Sequence, residues 1–149
     1  MSPAVSPTKF SLVVAVSIAI MSSPAGAQNG QHGAMKSTKA GVYTREQAAR
    51  GQDIYAGNCR SCHTPESHAG EQFTTRWRDK PLSELFVYIR DQMPKNDPGS
   101  MPPEEYADVT AYLLMLNRMP QGDTELRAHP DSLKSIRIDL PPMPVRKDP

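Results

Sequence analysis

The two cysteines of this chain lie close together, as Cys59 and Cys62, and His63 follows them directly. With no other cysteine among 149 residues, the chain can form one disulfide bridge or one covalent cofactor attachment. It has little material for a self-sufficient core, with three Phe and one Trp against 15 Pro. Small chains with so little core usually supplement their packing with disulfides or a cofactor. The five-residue segment 59–63 therefore constrains the fold more than any other part of the chain.

The spacing C-x-x-C-H is typical of covalent haem attachment. One helical turn separates the two thiols, so both can reach the two vinyl groups on one edge of a porphyrin. The histidine after the second thiol is then placed under the ring, and histidine is a standard proximal ligand of haem iron. We therefore predict one haem c, attached through Cys59 and Cys62 by thioether bonds and ligated by His63.

Three other roles for a C-x-x-C pair are less well supported. A redox-active dithiol is expected near a β-α-β pattern, and the sequence has no such pattern. A zinc site needs a second pair of Cys or His ligands, and no such pair occurs at ligand spacing. A disulfide between Cys59 and Cys62 would close a very short loop and would constrain the unfolded chain little.

The first 27 residues have the pattern of a cleavable export signal. Lys9 precedes an uncharged apolar run over 10–21, and the small residues Ala25-Gly26-Ala27 end the segment. An uncleaved membrane anchor would need about 20 apolar residues, which is more than this run supplies. We expect cleavage after Ala27, a mature chain without a transmembrane span, and localisation in the periplasm. Lys9 is one of 17 basic residues, so the mature chain carries 16 basic and 16 acidic side chains, and this balance indicates no nucleic-acid partner.

The mature chain is expected to hold one domain between two irregular tails. Residues 28–41 are polar and lack periodicity, which predicts a flexible leader. Helical periodicity marks a domain over 42–118. Residues 119–149 form an extension rich in Pro and charge, in which only the segment 136–140 alternates apolar and polar residues. That alternation predicts a short extended piece, and it is equally compatible with docking on a partner and with wrapping around its own domain.

Three helices are predicted within this domain, so the fold class is mostly α. The first begins after Thr44, whose spacing to a glutamine forms a capping box, and it stops at 57–58. The second runs over about 82–92, and the third opens at 102–103 and ends near Asn117. The apolar faces of these helices supply the predicted pocket and core residues: Tyr55, Leu85, Phe86, Ile89, Tyr112 and Leu113.

The sixth iron ligand is predicted to be a methionine, because the soft thioether favours reduced iron and suits electron transfer. Two methionines precede prolines, Met93 and Met101. Met101 comes directly before the third helix, where an apolar residue usually packs against the first turn. Met93 ends the second helix and begins a loop that can fold over the haem. We therefore favour Met93, with Met101 as the alternative, and expect His32, His68 and His129 at the surface.

The region 43–116 resembles a class I monohaem c-type cytochrome. The resemblance is carried by a first helix with Gly51 and Tyr55, by C-R-S-C-H, by a helix ending in Met93-Pro94, and by a last helix with Tyr112. It implies a small cytochrome c fold with three main helices around one covalently attached haem. It also implies that the first and last helices cross where a glycine allows close approach to an aromatic residue. The methionine of the first Met-Pro pair is the sixth ligand in similar cytochromes, which supports Met93.

The resemblance also implies a function, which is electron transfer without substrate chemistry. The chain is similar to periplasmic cytochromes that partner quinoprotein-type dehydrogenases, with an oxidase or another cytochrome as acceptor. By the same resemblance Trp77 lies near the haem propionates with Arg76 and Arg78 as charge partners, although a core tryptophan beside a solvated basic face fits the sequence equally well. Two alternatives stay open: a haem-bearing subunit of a dehydrogenase complex, and a haem enzyme or ligand sensor with an open sixth position.

Overall fold

The computed structural model describes residues 35–141. The predicted export signal, the start of the leader with His32, and the end of the extension lie outside these residues. No helix in this part of the chain is both long and apolar enough to cross a membrane. The elements in chain order are β1 (Lys36–Ser37), a 3₁₀-helix (Thr38–Ala40), α1 (Arg45–Asn58), a 3₁₀-helix (Pro65–His68), α2 (Gly70–Trp77), α3 (Leu82–Gln92), α4 (Pro103–Leu116), α5 (Pro130–Leu133) and β2 (Ile136–Arg137).

The predicted three helices correspond to α1, α3 and α4, and local chemistry explains their ends. The Thr44 hydroxyl accepts a hydrogen bond from the backbone N–H of Gln47 at 3.1 Å and so caps α1. The α3 helix stops at Gln92, two residues before a proline that cannot donate a hydrogen bond. Proline occupies the first turn of α4, where its missing N–H has no helical partner to lose. The mostly helical prediction is therefore confirmed.

The α2 helix is an element that the sequence did not predict. It is eight residues long, and no side chain caps its N-terminus at Ala69. Only Phe73 and Trp77 give it an apolar face, and they are four residues apart on the same side. An isolated helix of this length is unstable in water, so its order depends on burying these two aromatic residues in the core.

The α1 and α4 helices pack so closely that their backbones are in contact at Gly51. A Cβ atom at this position would lie 1.9 Å from the carbonyl oxygen of Asp108 and 3.0 Å from Cβ of Tyr112. Both distances are shorter than van der Waals contact allows. The crossing of the first and last helices, which the resemblance implied, is therefore present and requires glycine on α1.

The end of the predicted flexible leader has regular structure. From Lys36 onward it forms β1, which pairs in parallel with β2 near the other end of the chain. Thr38 is fully buried, and its hydroxyl donates to the carbonyl of Asp139 and accepts from the N–H of the same residue, both at 2.9 Å. The prediction of a flexible segment over 28–41 is wrong for 36–41, because the residues that order it lie about 100 positions away in sequence.

The described part of the extension, 119–141, packs on its own domain. It contributes five buried apolar side chains to the core: Met119, Leu126, Leu133, Ile138 and Leu140. Two polar side chains of the domain hold its backbone. The Tyr43 hydroxyl donates to the carbonyl of Met119 at 2.6 Å, and the Gln47 amide makes two hydrogen bonds to the backbone of Leu126, at 2.8 and 3.1 Å. The sequence left open whether this segment docks on a partner or wraps around its own domain, and the described residues wrap around the domain.

Replacing Gln47 by alanine is expected to destabilise this wrap. Gln47 is buried, so its removal leaves the N–H and the carbonyl of Leu126 without partners, at roughly 1–3 kcal/mol for each unpaired group. Denaturant unfolding of the purified protein should show a lower midpoint and a lower free energy of unfolding. Gln52→Ala, at an exposed position of the same helix, is the matched control. Equal unfolding midpoints for the two variants would contradict the proposed importance of these hydrogen bonds.

Candidate functional site

A cavity of about 650 Å³ lies beside the C-terminal end of α1. Its volume falls within the range of about 300–1,000 Å³ that is usual for small-molecule and cofactor sites. The walls come from α1, α2, α3 and α4, and they are largely aromatic and aliphatic: Tyr55, Phe73, Trp77, Leu85, Tyr88, Ile89, Val109 and Leu113. Of the six residues predicted for the pocket or core, Tyr55, Leu85, Ile89 and Leu113 line this cavity. Phe86 and Tyr112 are buried in the core.

The predicted attachment residues lie together at the edge of this cavity. The backbone N–H of Cys59 donates to the carbonyl of Tyr55, so Cys59 continues the end of α1. The N–H groups of Cys62 and His63 both donate to the carbonyl of Cys59, at 3.1 and 2.9 Å, and this tight turn brings both thiols and the imidazole to the cavity. Both thiols are free, Cys59 half-buried and Cys62 exposed. Burial raises the pKa of the Cys59 thiol.

The hydroxyl of Tyr55, a residue that lines the cavity, is buried and has no hydrogen-bond partner. Within residues 35–141, it is the buried side-chain polar atom that has no hydrogen-bond partner. Burial raises the pKa of Tyr55 to about 12, so this hydroxyl is neutral at physiological pH. A buried polar group without a partner is costly and usually marks a missing water or ligand. Apolar walls, two thiols, an imidazole and this hydroxyl together form a donor set that fits a covalently attached haem.

The two candidate methionines lie in different places. Met93 lines the cavity that also contains His63, and Met101 lines a second, shallower pocket beside Arg90 and Tyr106. Tyr106 is the fourth residue of α4, so the position of Met101 suits an apolar residue packed against the first turn of that helix. The Tyr106 hydroxyl donates to the carbonyl of Met93 at 2.9 Å and accepts from the N–H of Met101 at 3.3 Å. One buried tyrosine therefore holds both ends of the loop 93–101.

His68 is not a surface residue, although a surface position was predicted for it from the sequence. It is half-buried and lines the cavity, with its ring centroid 4.7 Å from that of His63 and 6.0 Å from that of Tyr55. Burial, with the nearby charges of His63 and Arg76, lowers the pKa of His68. No local pattern reveals this position, because the segment that carries His68 is held by Asn117, which directly follows α4. His129 is exposed, as predicted.

A tryptophan and an arginine contribute to the lining of the cavity. Trp77 is buried and lines the cavity, as does Arg76. The Arg76 guanidinium lies 4.0 Å from the ring centroid of Tyr88 and 5.0 Å from that of Trp77, which is the geometry of cation–π contacts. Arg78 is exposed and does not contribute to the lining. The structure thus brings one of the two predicted charge partners to the site.

One comparison with known proteins gives a match. Residues 46–113 match the family model described as cytochrome c oxidase, cbb3-type, subunit III. No curated protein and no solved structure matched the chain. The matched segment contains the C-R-S-C-H motif, α2, α3 and most of α1 and α4, so it supports a c-type cytochrome in this part of the chain. Together with the helical architecture it confirms the small cytochrome c fold, and a cytochrome c domain implies covalently bound haem c, electron transfer and redox partners.

Proposed function

We propose that this chain is an exported, periplasmic protein that carries one electron on one haem c bound to Cys59 and Cys62. The observation that carries the proposal is the position of both thiols and the His63 imidazole at the edge of an apolar cavity of cofactor size. Each thiol would add across one vinyl group, with a new carbon–sulfur bond and the thiol proton transferred to the adjacent vinyl carbon. The bound group would supply the Fe(II)/Fe(III) couple, and this chain supplies its ligands and surroundings.

His63 and Met93 are the residues that we propose would bind the iron. Both line the same cavity, whereas Met101 lies in a separate pocket. Tyr106 would keep Met93 in place through the hydrogen bond to its carbonyl. A histidine opposite a methionine is the pair found in cytochromes that transfer electrons, because the thioether stabilises Fe(II).

The walls of the cavity suit electron transfer rather than substrate chemistry. The aromatic and aliphatic side chains of the lining would exclude water from the metal, and Arg76, beside Trp77, would pair with a propionate. Because Cys62 is exposed, the haem edge attached to it would be open to partner proteins, and electrons would pass through that edge. We propose a periplasmic dehydrogenase as donor and an oxidase or another cytochrome as acceptor, and no enzymatic activity of the chain itself.

The two other haem functions find less support. A haem-bearing subunit of a dehydrogenase complex would need a docking element, and the described part of the extension already packs on its own domain. A haem enzyme or ligand sensor needs an open sixth position, and Met93 lies in the cavity where it would close that position. We therefore favour a diffusible carrier.

The proposal is tested by the mass and spectrum of the protein made in a host with periplasmic haem-attachment machinery. The intact mass should exceed that of the chain cleaved after Ala27 by one haem, and acidic acetone should not extract the colour. The purified protein should show a low-spin spectrum in both oxidation states. A haem-free product with a disulfide between Cys59 and Cys62 would contradict the proposal, because the same host attaches haem to other cytochromes.

A further inference from the structure

The turn that joins α2 to α3, residues 78–81, directly follows two residues of the proposed haem site. Arg76 and Trp77 are the last residues of α2, and both line the cavity. A helix of eight residues is not stable alone, so the positions of its two ends depend on contacts outside it. Asn117 accepts a hydrogen bond from the N–H of Gly70 at 3.1 Å and holds the first end. The second end continues into the turn 78–81.

The C-terminal extension holds this turn through backbone hydrogen bonds. The N–H of Asp79 donates to the carbonyl of Ile138, and the N–H of Ile138 donates to the carbonyl of Lys80, both at 2.9 Å. Pro81 and Arg137 form an antiparallel bridge beside them. The φ angle of Asp79 is 63°, a left-handed conformation that a residue other than glycine keeps only where its surroundings impose it. The shape of the turn therefore depends on the extension.

The segment that makes these bonds is fixed on its other edge as well. The β2 strand pairs in parallel with β1. Ile138 is fully buried and bonds to the turn, whereas the backbone of its neighbour Asp139 bonds on the opposite edge to the hydroxyl of Thr38. This alternation is the usual one for a strand with partners on both sides. Residues 136–139 thus lie between β1 and the turn 78–81.

The turn is connected to the cavity through Lys80 and Trp77. The N–H of Lys80 donates to the carbonyl of Trp77 at 3.2 Å, and the Lys80 ammonium lies 5.5 Å from the Trp77 ring centroid. Trp77 packs against Tyr88 with 5.6 Å between ring centroids, and the Arg76 guanidinium lies against both rings. A displacement of the turn would therefore move Trp77 and disturb the surface on which Arg76 rests.

We propose that Ile138 is a positioning residue for Arg76 and Trp77, so that the extension contributes to the haem site. Ile138 lies outside the segment 46–113 that matches the family model. The proposal rests on the proposed function, in which Arg76 would pair with a propionate. A cation held beside the metal favours the less positively charged Fe(II) state, so the extension would raise the reduction potential through Arg76.

Native-state hydrogen exchange of the haem-loaded, full chain tests whether the turn and the end of α2 open together. The amides of Arg78, Asp79 and Ile138 each donate a backbone hydrogen bond, so each one reports the opening of its own bond. We expect one common free energy of opening for all three at low denaturant concentrations. A different value for Arg78 would overturn the proposal, because the end of α2 would then be held independently of the extension. This measurement does not require any variant to fold.

Variants test the consequence for the metal. Ile138→Pro removes the N–H that bonds to Lys80, and Arg76→Gln removes the cation. Both should lower the reduction potential, and the double variant should lie no lower than Arg76→Gln alone, because the two changes act through the same group.

Leu133→Ala is the matched control for these variants. It removes a buried side chain of the same extension that takes no part in these backbone bonds. It should lower the unfolding midpoint and leave the reduction potential unchanged. Equal potentials for Ile138→Pro and Leu133→Ala, or additive shifts in the double variant, would overturn the proposal. Covalent haem and a low-spin spectrum in these proteins would still support the proposed function.

Discussion

Gly51→Ala is expected to prevent the chain from reaching its native, haem-binding fold. The added Cβ would lie 1.9 Å from the carbonyl oxygen of Asp108, which belongs to the backbone of α4 and cannot rotate away. The two helices must therefore separate, and this would open the contact between α1, which leads into Cys59, and α4, which lines the cavity with Leu113. Overpacking usually lowers the free energy of unfolding by about 1–3 kcal/mol. A clash with the backbone at this distance should reach or exceed the upper end of that range.

The expected result is a low yield of haem-loaded protein, and a sharply lower unfolding midpoint for any that is recovered. Gly57→Ala is the matched control, because it lies on the same helix and a Cβ there would meet nothing within 4 Å. Alanine is the better helix former by about 1 kcal/mol, so that variant should be unchanged or slightly more stable. Similar unfolding midpoints for the two variants would contradict the close contact of α1 with α4.

The predictable parts of this protein are those set by neighbours in sequence. The cap at Thr44 depends on an N–H three residues away. Nearby prolines determine where α3 stops and where α4 begins. The C-R-S-C-H turn is equally local, because its two backbone hydrogen bonds both return to Cys59. For this reason the three principal helices and the grouping of the thiols with an imidazole could be predicted before any tertiary contact was known.

The parts that escaped prediction depend on residues far away in sequence. The α2 helix is too short to be stable alone and is ordered by the burial of Phe73 and Trp77. Thr38 is buried only because it pairs with Asp139, about 100 positions later. His68 enters the cavity because Asn117, 49 residues further on, holds its carbonyl. A short polar segment gives no sign of such partners, so its local composition predicts a loop at the surface.

The second large effect is expected at the proposed sixth ligand. Met93→Ala should leave the iron with water or another weak ligand in place of the thioether, because Met93 is the methionine that lines the same cavity as His63. The ferric protein should lose the methionine–iron charge-transfer band and become high-spin or water-ligated, and the ferrous protein should bind carbon monoxide readily. Its reduction potential should fall, because the thioether is the group that favours Fe(II).

Met101→Ala is the matched control, since it removes a methionine of the same loop that lies in a different pocket. It should keep the low-spin spectrum and the charge-transfer band. It should lose only stability, on the order of 1–3 kcal/mol for a half-buried side chain near the first turn of α4. If Met101→Ala loses the charge-transfer band while Met93→Ala retains it, the ligand is Met101 and the loop must rearrange when haem binds, with Tyr106 releasing one of its two backbone partners. If both variants retain the band, neither methionine binds the iron, and the buried Met119 becomes the next residue to replace.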